Sequence, residues 1–426
     1  MFQVLGTNAR PSQVCLKSMY KQQELWPTEI FTQVQRRRVL PVTRAMISGE
    51  SLSSWIVRIA DAHGMSTQQL GAWLMGRGRQ IFAEDVDRGF WDDLVEAISH
   101  ATGHTVEVLM RGTLRSFEGV IWGEMPRQGA TRWVLPILKR GTQRSGYGVQ
   151  YCAQCLATDE TPYLRLIWRL AFVVACPEHR CFLEDRCNSC QAPVAIHRWR
   201  TGVFRDYRSS GIVRCHECGA DRRMSTGQAA ETESLVAQER MLNALRPVPI
   251  IVDDSTVHCL AYFAGVAMIW SLLDDLRNAD AVWGELELKA PTFVKDAIYR
   301  YGGFERKNVQ QRAALLGGCD LILSRGVEEF VERLGLKRIS SHSLLRYRSP
   351  LRAPAPFWYW SFIRQHLDRT LYTPCDEEIE EAIHYQLRIG GGHSVKVRDL
   401  CALLGMATNN SIKVARRMRE LGVINR

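Results

Sequence analysis

The sequence predicts a mostly α-helical, multidomain protein in which helix-turn-helix domains flank a small cysteine-rich region. Three observations predict it. Apolar residues recur at helical spacing near both ends, cysteines crowd into 152–218, and 426 residues exceed the usual size of one domain. Pro and Gly are not in excess and Trp is abundant, as in folded protein. The expected divisions are a leader or arm over 1–40, a helix-turn-helix-containing domain over 41–138, the cysteine-rich domain over 139–224, a helical domain over 225–373 and a terminal helix-turn-helix-like domain over 374–426.

The leader closes on three arginines, Arg36, Arg37 and Arg38, which form either a solvated face or an arm that touches phosphates. In 41–75, Leu52, Trp55, Ile56 and Ile59 make one apolar stripe. Gly64 should stop that helix, and Ser66 with Gln69 forms a capping box for the next, whose buried side is Leu70, Trp73 and Leu74. Helix, glycine turn and helix fit a helix-turn-helix unit, but equally two helices of a bundle. FWDDLVEAISHATG reads as a helix, while HTVEVLMRG and RWVLPIL have strand-like content. KRGTQRSGYGVQ is a basic loop leading to the cysteines.

Beyond the cysteines, 225–232 reads as a boundary, ESLVAQERMLNAL as a helix and RPVPIIVDD as a linker-like turn. CLAYFAGVAMIWSLL, 259–273, is the longest apolar run. It is shorter than the roughly 17–25 residues that span a bilayer and reads as a buried helix. In 312–336 a weak second helix pair is discernible, and RSPLRAPAP marks a loop. TPCDEEIEEAIHYQLRIGG is a helix whose acidic first turn suits the positive helix end. Two stripes follow, Val397, Leu400, Leu403 and Leu404, then Ile412, Ala415, Met418 and Leu421, with Gly405 and ATNN between them. Lys413, Arg416, Arg417 and Arg419 lie largely off the second stripe, a basic face that suits either a major groove or plain solvent.

The cysteine region is the most specific signal. Two CxxC or CxxH knuckles supply the four soft or borderline donors of a tetrahedral zinc site. Four knuckles occur here: Cys152 with Cys155, Cys176 with His179, Cys187 with Cys190, and Cys215 with Cys218. Sequential pairing makes two structural zinc sites in a zinc-ribbon-like region; an interleaved cross-brace uses the same ligands. Cys181 and His216 are spare and are expected to pack or hydrogen-bond beside a knuckle. Between the knuckles of the first site, Leu166, Trp168, Leu170, Phe172 and Val174 alternate with residues that include Arg165 and Arg169, two candidates for a phosphate or a carboxylate.

Both sites can be closed by four protein ligands, whereas a catalytic zinc keeps one position open. No GxxxxGK[ST], GxSxG or HExxH motif occurs, nor the HxE…PCxxC signature of zinc deaminases. The chain is therefore expected not to be an enzyme, and a metalloenzyme is a distant third reading. The formal charge of +10, about +7 after allowing for seven thiolates and two dications, favours a polyanion such as double-stranded DNA. MFQVLGTNARPSQVCLKS has no apolar h-region, and the remaining cysteines are isolated. A cytoplasmic protein with no membrane partner is expected.

Two stretches, SGESLSSWIVRIADAHGMS at 48–66 and the zinc stretch at 151–190, resemble the TniQ/TnsD family of transposition target-selection proteins. The resemblance covers about 180 residues and implies a function. Members join a target, marked by a DNA sequence or by an RNA-guided surveillance complex, to a AAA+ ATPase regulator that recruits the transposase of Tn7-like and related transposons. They perform no strand transfer. Carried onto this chain, Cys152, Cys155, Cys176 and His179 are the first family zinc site, and Cys187, Cys190, Cys215 and Cys218 the second. Glu50, Ser51, Leu52, Ser54, Trp55 and Arg58 match the N-terminal signature. The resemblance implies that they shape the first helical domain, with Trp55 and Arg58 candidates for a surface that meets the ATPase. A second copy of the chain is a further candidate partner. The rival reading is a zinc-containing helix-turn-helix transcription regulator, which needs no ATPase.

Overall fold

A computed structural model describes residues 39–76, 78–89, 91–137, 149–200, 210–246, 248–295, 303–337, 339, 344, 355–367, 374–389, 395–404 and 411–423. Arg36, Arg37, Arg38, Arg77, most of the basic loop before Cys152, most of RSPLRAPAP and the turn at 405–410 lie outside them. Among the described residues are fifteen α-helices and one two-stranded sheet, so the mostly helical class is observed.

Helices α1 (Leu52–Ala62) and α2 (Thr67–Met75) start the N-terminal unit. Ser51 caps α1 by accepting from the Ser54 amide, and Ser66 with Gln69 forms the expected capping box on α2. The unit continues through α3 (Asp92–Thr102) and α4 (Val106–Arg111). The last replaces the strand-like reading of HTVEVLMRG: Thr105 accepts from the Val108 amide, and this cap outweighs the β-branched content. Leu52, Trp55, Ile56, Leu70, Leu94 and Leu109 share a core running from Leu40 to Leu109.

The largest core does not follow the divisions at 138/139 and 224/225. One apolar cluster takes in Leu114, Trp133, Trp168, Phe172, Phe263, Phe304 and Tyr359. It is built from the cysteine region together with α6 (Thr232–Asn243), α7 (Cys259–Leu273), α8 (Ala279–Glu285), α9 (Thr292–Lys295), α10 (Val309–Arg325), α11 (Val327–Leu336) and α12 (Phe357–His366). The apolar run 259–273 is the buried helix α7, as predicted. At Gly265 a Cβ would meet Trp358 Cζ2 at 1.9 Å, so only glycine admits this crossing of α7 with α12.

RPVPIIVDD is not a plain linker. It enters a hairpin of β1 (Ile250–Val252) and β2 (Ser255–Val257), turning at Asp253 and Asp254 with φ of 44° and 62°. Paired left-handed residues are what a tight two-residue hairpin demands. Asp253 also accepts from the Glu328 amide, tying the hairpin to the start of α11.

A third core belongs to α13 (Asp376–Ile389), α14 (Val397–Leu403) and α15 (Ser411–Glu420), each touching the other two. Its centre is Ile379, Ile383, Leu400, Cys401, Val414 and Met418. The predicted second stripe is partly wrong. Ile412 is 78% exposed and Leu421 42%, because Val414 and Met418 are the residues of α15 that face α13 and α14.

Candidate metal centres

The ligands assemble on two kinds of local structure. Cys152 is the N-cap of α5 (Ala153–Thr158), its sulfur accepting from the Cys155 amide. The other three knuckles share one backbone design. The first cysteine's amide donates to the carbonyl five residues on, and its carbonyl accepts from the amide four residues on. Cys176 does this with Cys181 and Arg180, Cys187 with Ala192 and Gln191, and Cys215 with Ala220 and Gly219. The fourth residue after each cysteine is left-handed, with φ of 50° at Arg180, 59° at Gln191 and 74° at Gly219. Glycine meets that demand freely; arginine and glutamine cost about 1–2 kcal/mol each.

The structure brings together Cys152, Cys155, Cys176 and His179 in one group, and Cys187, Cys190, Cys215 and Cys218 in another. Sequential pairing is thus observed and the cross-brace is not. In the first, Cys155 and Cys176 sulfurs lie 3.5 Å apart, and His179 Nδ1 is 3.6, 3.3 and 3.5 Å from Cys152, Cys155 and Cys176. In the second, Cys187 to Cys218 is 3.6 Å and Cys190 to Cys215 is 3.7 Å. A metal tetrahedron with bonds of about 2.3 Å to sulfur and about 2.0 Å to nitrogen has S···S edges of about 3.8 Å and S···N edges of about 3.5 Å. The residues therefore fit a tetrahedral cation. The cysteines of the first site are buried, while Cys190 and Cys218 of the second are exposed.

Charge supports the same conclusion. Hydrogen bonds from Cys155 and Cys176 draw the Cys152 thiol far down, and contacts with Cys152 and Cys176, together with burial, push Cys155 far up. Neighbouring sulfurs cannot all ionise here by themselves. A dication would hold all three as thiolates.

Arg165 and Arg169, candidates for phosphate contact, are committed elsewhere. Arg165 makes two 3.1 Å bonds to Asp159 and stacks over Tyr163 and Trp168. Arg169 is fully buried between Asp85 and Asp87, and Asp87 also accepts from the Ser53 amide at 2.7 Å and hydroxyl at 2.8 Å. The alternating series between the knuckles is a 3₁₀ turn, Leu166–Arg169, followed by residues buried on every side, not a strand. Asp87 had no local signal in the sequence, its arginine lying 82 residues away; Asp85 pairs both with Arg169, 84 residues on, and with Arg88 at 3.5 Å.

The N-terminal signature is internal too. Trp55 is fully buried, its Nε1 donating to the Arg44 carbonyl. Arg58 is 9% exposed and pairs with buried Glu50 at 2.5 Å. Neither offers a surface to a partner, which corrects the interface expectation: an ionised arginine this buried is held by its carboxylate. Glu50 also accepts from Ser54 Oγ, which in turn accepts from the Leu164 amide, while Ser51 and Leu166 amides donate to Leu164 and Gly49 carbonyls. The signature thus stitches α1 to the strap beside the first metal site. The start of α2 is spoken for as well, since Thr67 Oγ1 donates to the His197 carbonyl.

On α15 the basic face divides. Lys413 Nζ donates to the Pro374 carbonyl at 2.8 Å and lies 3.5 Å from Asp376; Arg417 pairs with Glu380 and Glu420. Arg416 and Arg419 point outward beside Ile412, with Arg416 63% exposed and only 3.7 Å from Glu420.

These features define a class: a mostly helical protein whose centre is braced by two cysteine-rich groups able to hold metal ions, with no helix among the described residues long and apolar enough to cross a membrane. Residues 41–183 match the TniQ family model, so the chain carries a TniQ domain over a third of its length. The match takes in the first metal group and ends before the second. No curated protein matches the chain.

Proposed function

We propose that this protein is a non-catalytic adaptor of transposon target selection. It binds double-stranded DNA, or docks on a target-marking complex such as an RNA-guided one, and recruits a AAA+ ATPase regulator and through it the transposase. The observation that carries this reading is the TniQ match over 41–183. Two zinc ions, one per ligand group, are structural in this reading. Three thiolates with one imidazole, and four thiolates, are donor sets that suit zinc, and four protein ligands leave no position for a reacting water.

DNA contact is assigned to α15. Its outward Arg416 and Arg419 would meet phosphates or guanine edges, and Ile412 a thymine methyl. Lys413 and Arg417 hold the three-helix unit together instead. With α2 sealed at its start, the first helix pair is a scaffold and not a reader.

The test is reconstitution of the full chain with the transposon's AAA+ ATPase and duplex DNA, followed by size-exclusion chromatography. A complex holding all three supports the adaptor. DNA binding with no ATPase retention favours the transcription regulator. Sequence-specific footprinting by the chain alone would reject docking on an RNA-guided complex as its means of targeting.

A further inference from the structure

The first metal group has a fifth donor beside it. Cys181 Sγ lies 3.7 Å from Cys152 Sγ, close to one edge of a metal tetrahedron, yet it stands outside the group of four. Cys181 is two residues beyond His179, on the far side of the left-handed Arg180, and its carbonyl accepts from the Cys176 amide at 2.8 Å. The knuckle is therefore fixed at both ends, with the His179 ring and the Cys181 sulfur both against the Cys152 sulfur, 3.6 and 3.7 Å away. Cys181 is 5% exposed and pairs in an isolated bridge with Ala229; Gly227, at φ 62°, leaves room against its sulfur. His179 is the most exposed of the four ligands, the one that solvent can most readily draw away.

We infer that Cys181 is a reserve ligand of the first metal site. When His179 leaves the ion, the Cys181 sulfur takes its place, converting a site of three cysteines and one histidine to an all-cysteine site like the second one. The exchange breaks one metal–nitrogen bond, forms one metal–sulfur bond and releases the thiol proton to solvent; no oxidant or reductant is involved. This rests on the proposal that the group holds zinc.

The experiment compares wild type, His179→Ala, Cys181→Ser and the double variant, all as full chains purified with zinc and counted by elemental analysis. Wild type is expected to carry two ions, and so are both single variants, with the fold retained. The double variant should carry one, or fail to fold. Cobalt substitution of His179→Ala should strengthen the sulfur-to-metal charge-transfer band and move the d–d bands to lower energy than in wild type, as a fourth thiolate requires. One ion or a lost fold in His179→Ala overturns the inference, as does a double variant that keeps two ions, since water would then complete the site. A wild type without metal overturns the zinc reading itself, and the inference with it.

Discussion

Single side chains near the metal centres bear unusual loads. Arg169 is the only arginine facing both Asp85 and Asp87 among the described residues. Arg169→Ala strands a buried carboxylate and should cost about 3–5 kcal/mol, read as a lower urea midpoint. Asp61 offers a pH test. Burial pushes its carboxyl from the ordinary 3.8 up to about 6, against the opposing hydrogen bond from Ser210. A carboxyl whose folded value exceeds its unfolded one binds its proton more tightly when native. Its contribution is thus most favourable below the unfolded value and declines as pH rises to about 6. Asp61→Asn should remove that slope and gain up to about 3 kcal/mol at neutral pH, checked by thermal melts of both chains across pH 4–8.

Among elements, the three knuckles and α15 make the sharpest predictions. Gly219→Ala should cost about 1 kcal/mol, and Gln191→Gly should gain a similar amount, because both positions are left-handed. Melting of the metal-loaded protein decides. On α15, Arg416→Ala with Arg419→Ala should weaken duplex binding and lower the salt slope by about two. Arg417→Ala should loosen the α13–α15 unit and leave the slope nearly unchanged, through loss of Glu380. The ligands, the helical class and the α2 capping box were legible in the sequence because each depends on neighbours within a few residues. The roles of Arg58, Arg165, Arg169 and Arg417 were not. A basic residue reads as a surface charge until the fold shows its carboxylate: Glu50 and Asp159 sit 8 and 6 residues from their arginines with no pattern to pair them, and Asp87 comes from 82 residues away. The hairpin at 250–257 was hidden for another reason: its turn uses Asp-Asp, where glycine would have been the signal.

At the scale of the whole molecule, the metal region and the helices after it stand or fall together. Trp168 and Phe172 share a core with α7 and α10, and fully buried Arg312 on α10 bonds to the Ala171 carbonyl and, at 2.7 Å, to Gln150. Removing both ions should therefore abolish hydrogen-exchange protection in 259–273 and 309–325 as well as in 152–218, while 376–389, with its separate core, stays protected. The two groups differ, however, in how an ion reaches them. Cys155 and Cys176 are sealed under the protein, whereas Cys190 and Cys218 face solvent. The outer position can be filled on a finished chain and emptied again by a passing scavenger. The inner one meets solvent only at His179, so an ion should enter and leave it more slowly, and a cell short of the ion during synthesis would make molecules that later supplementation repairs first at the outer end.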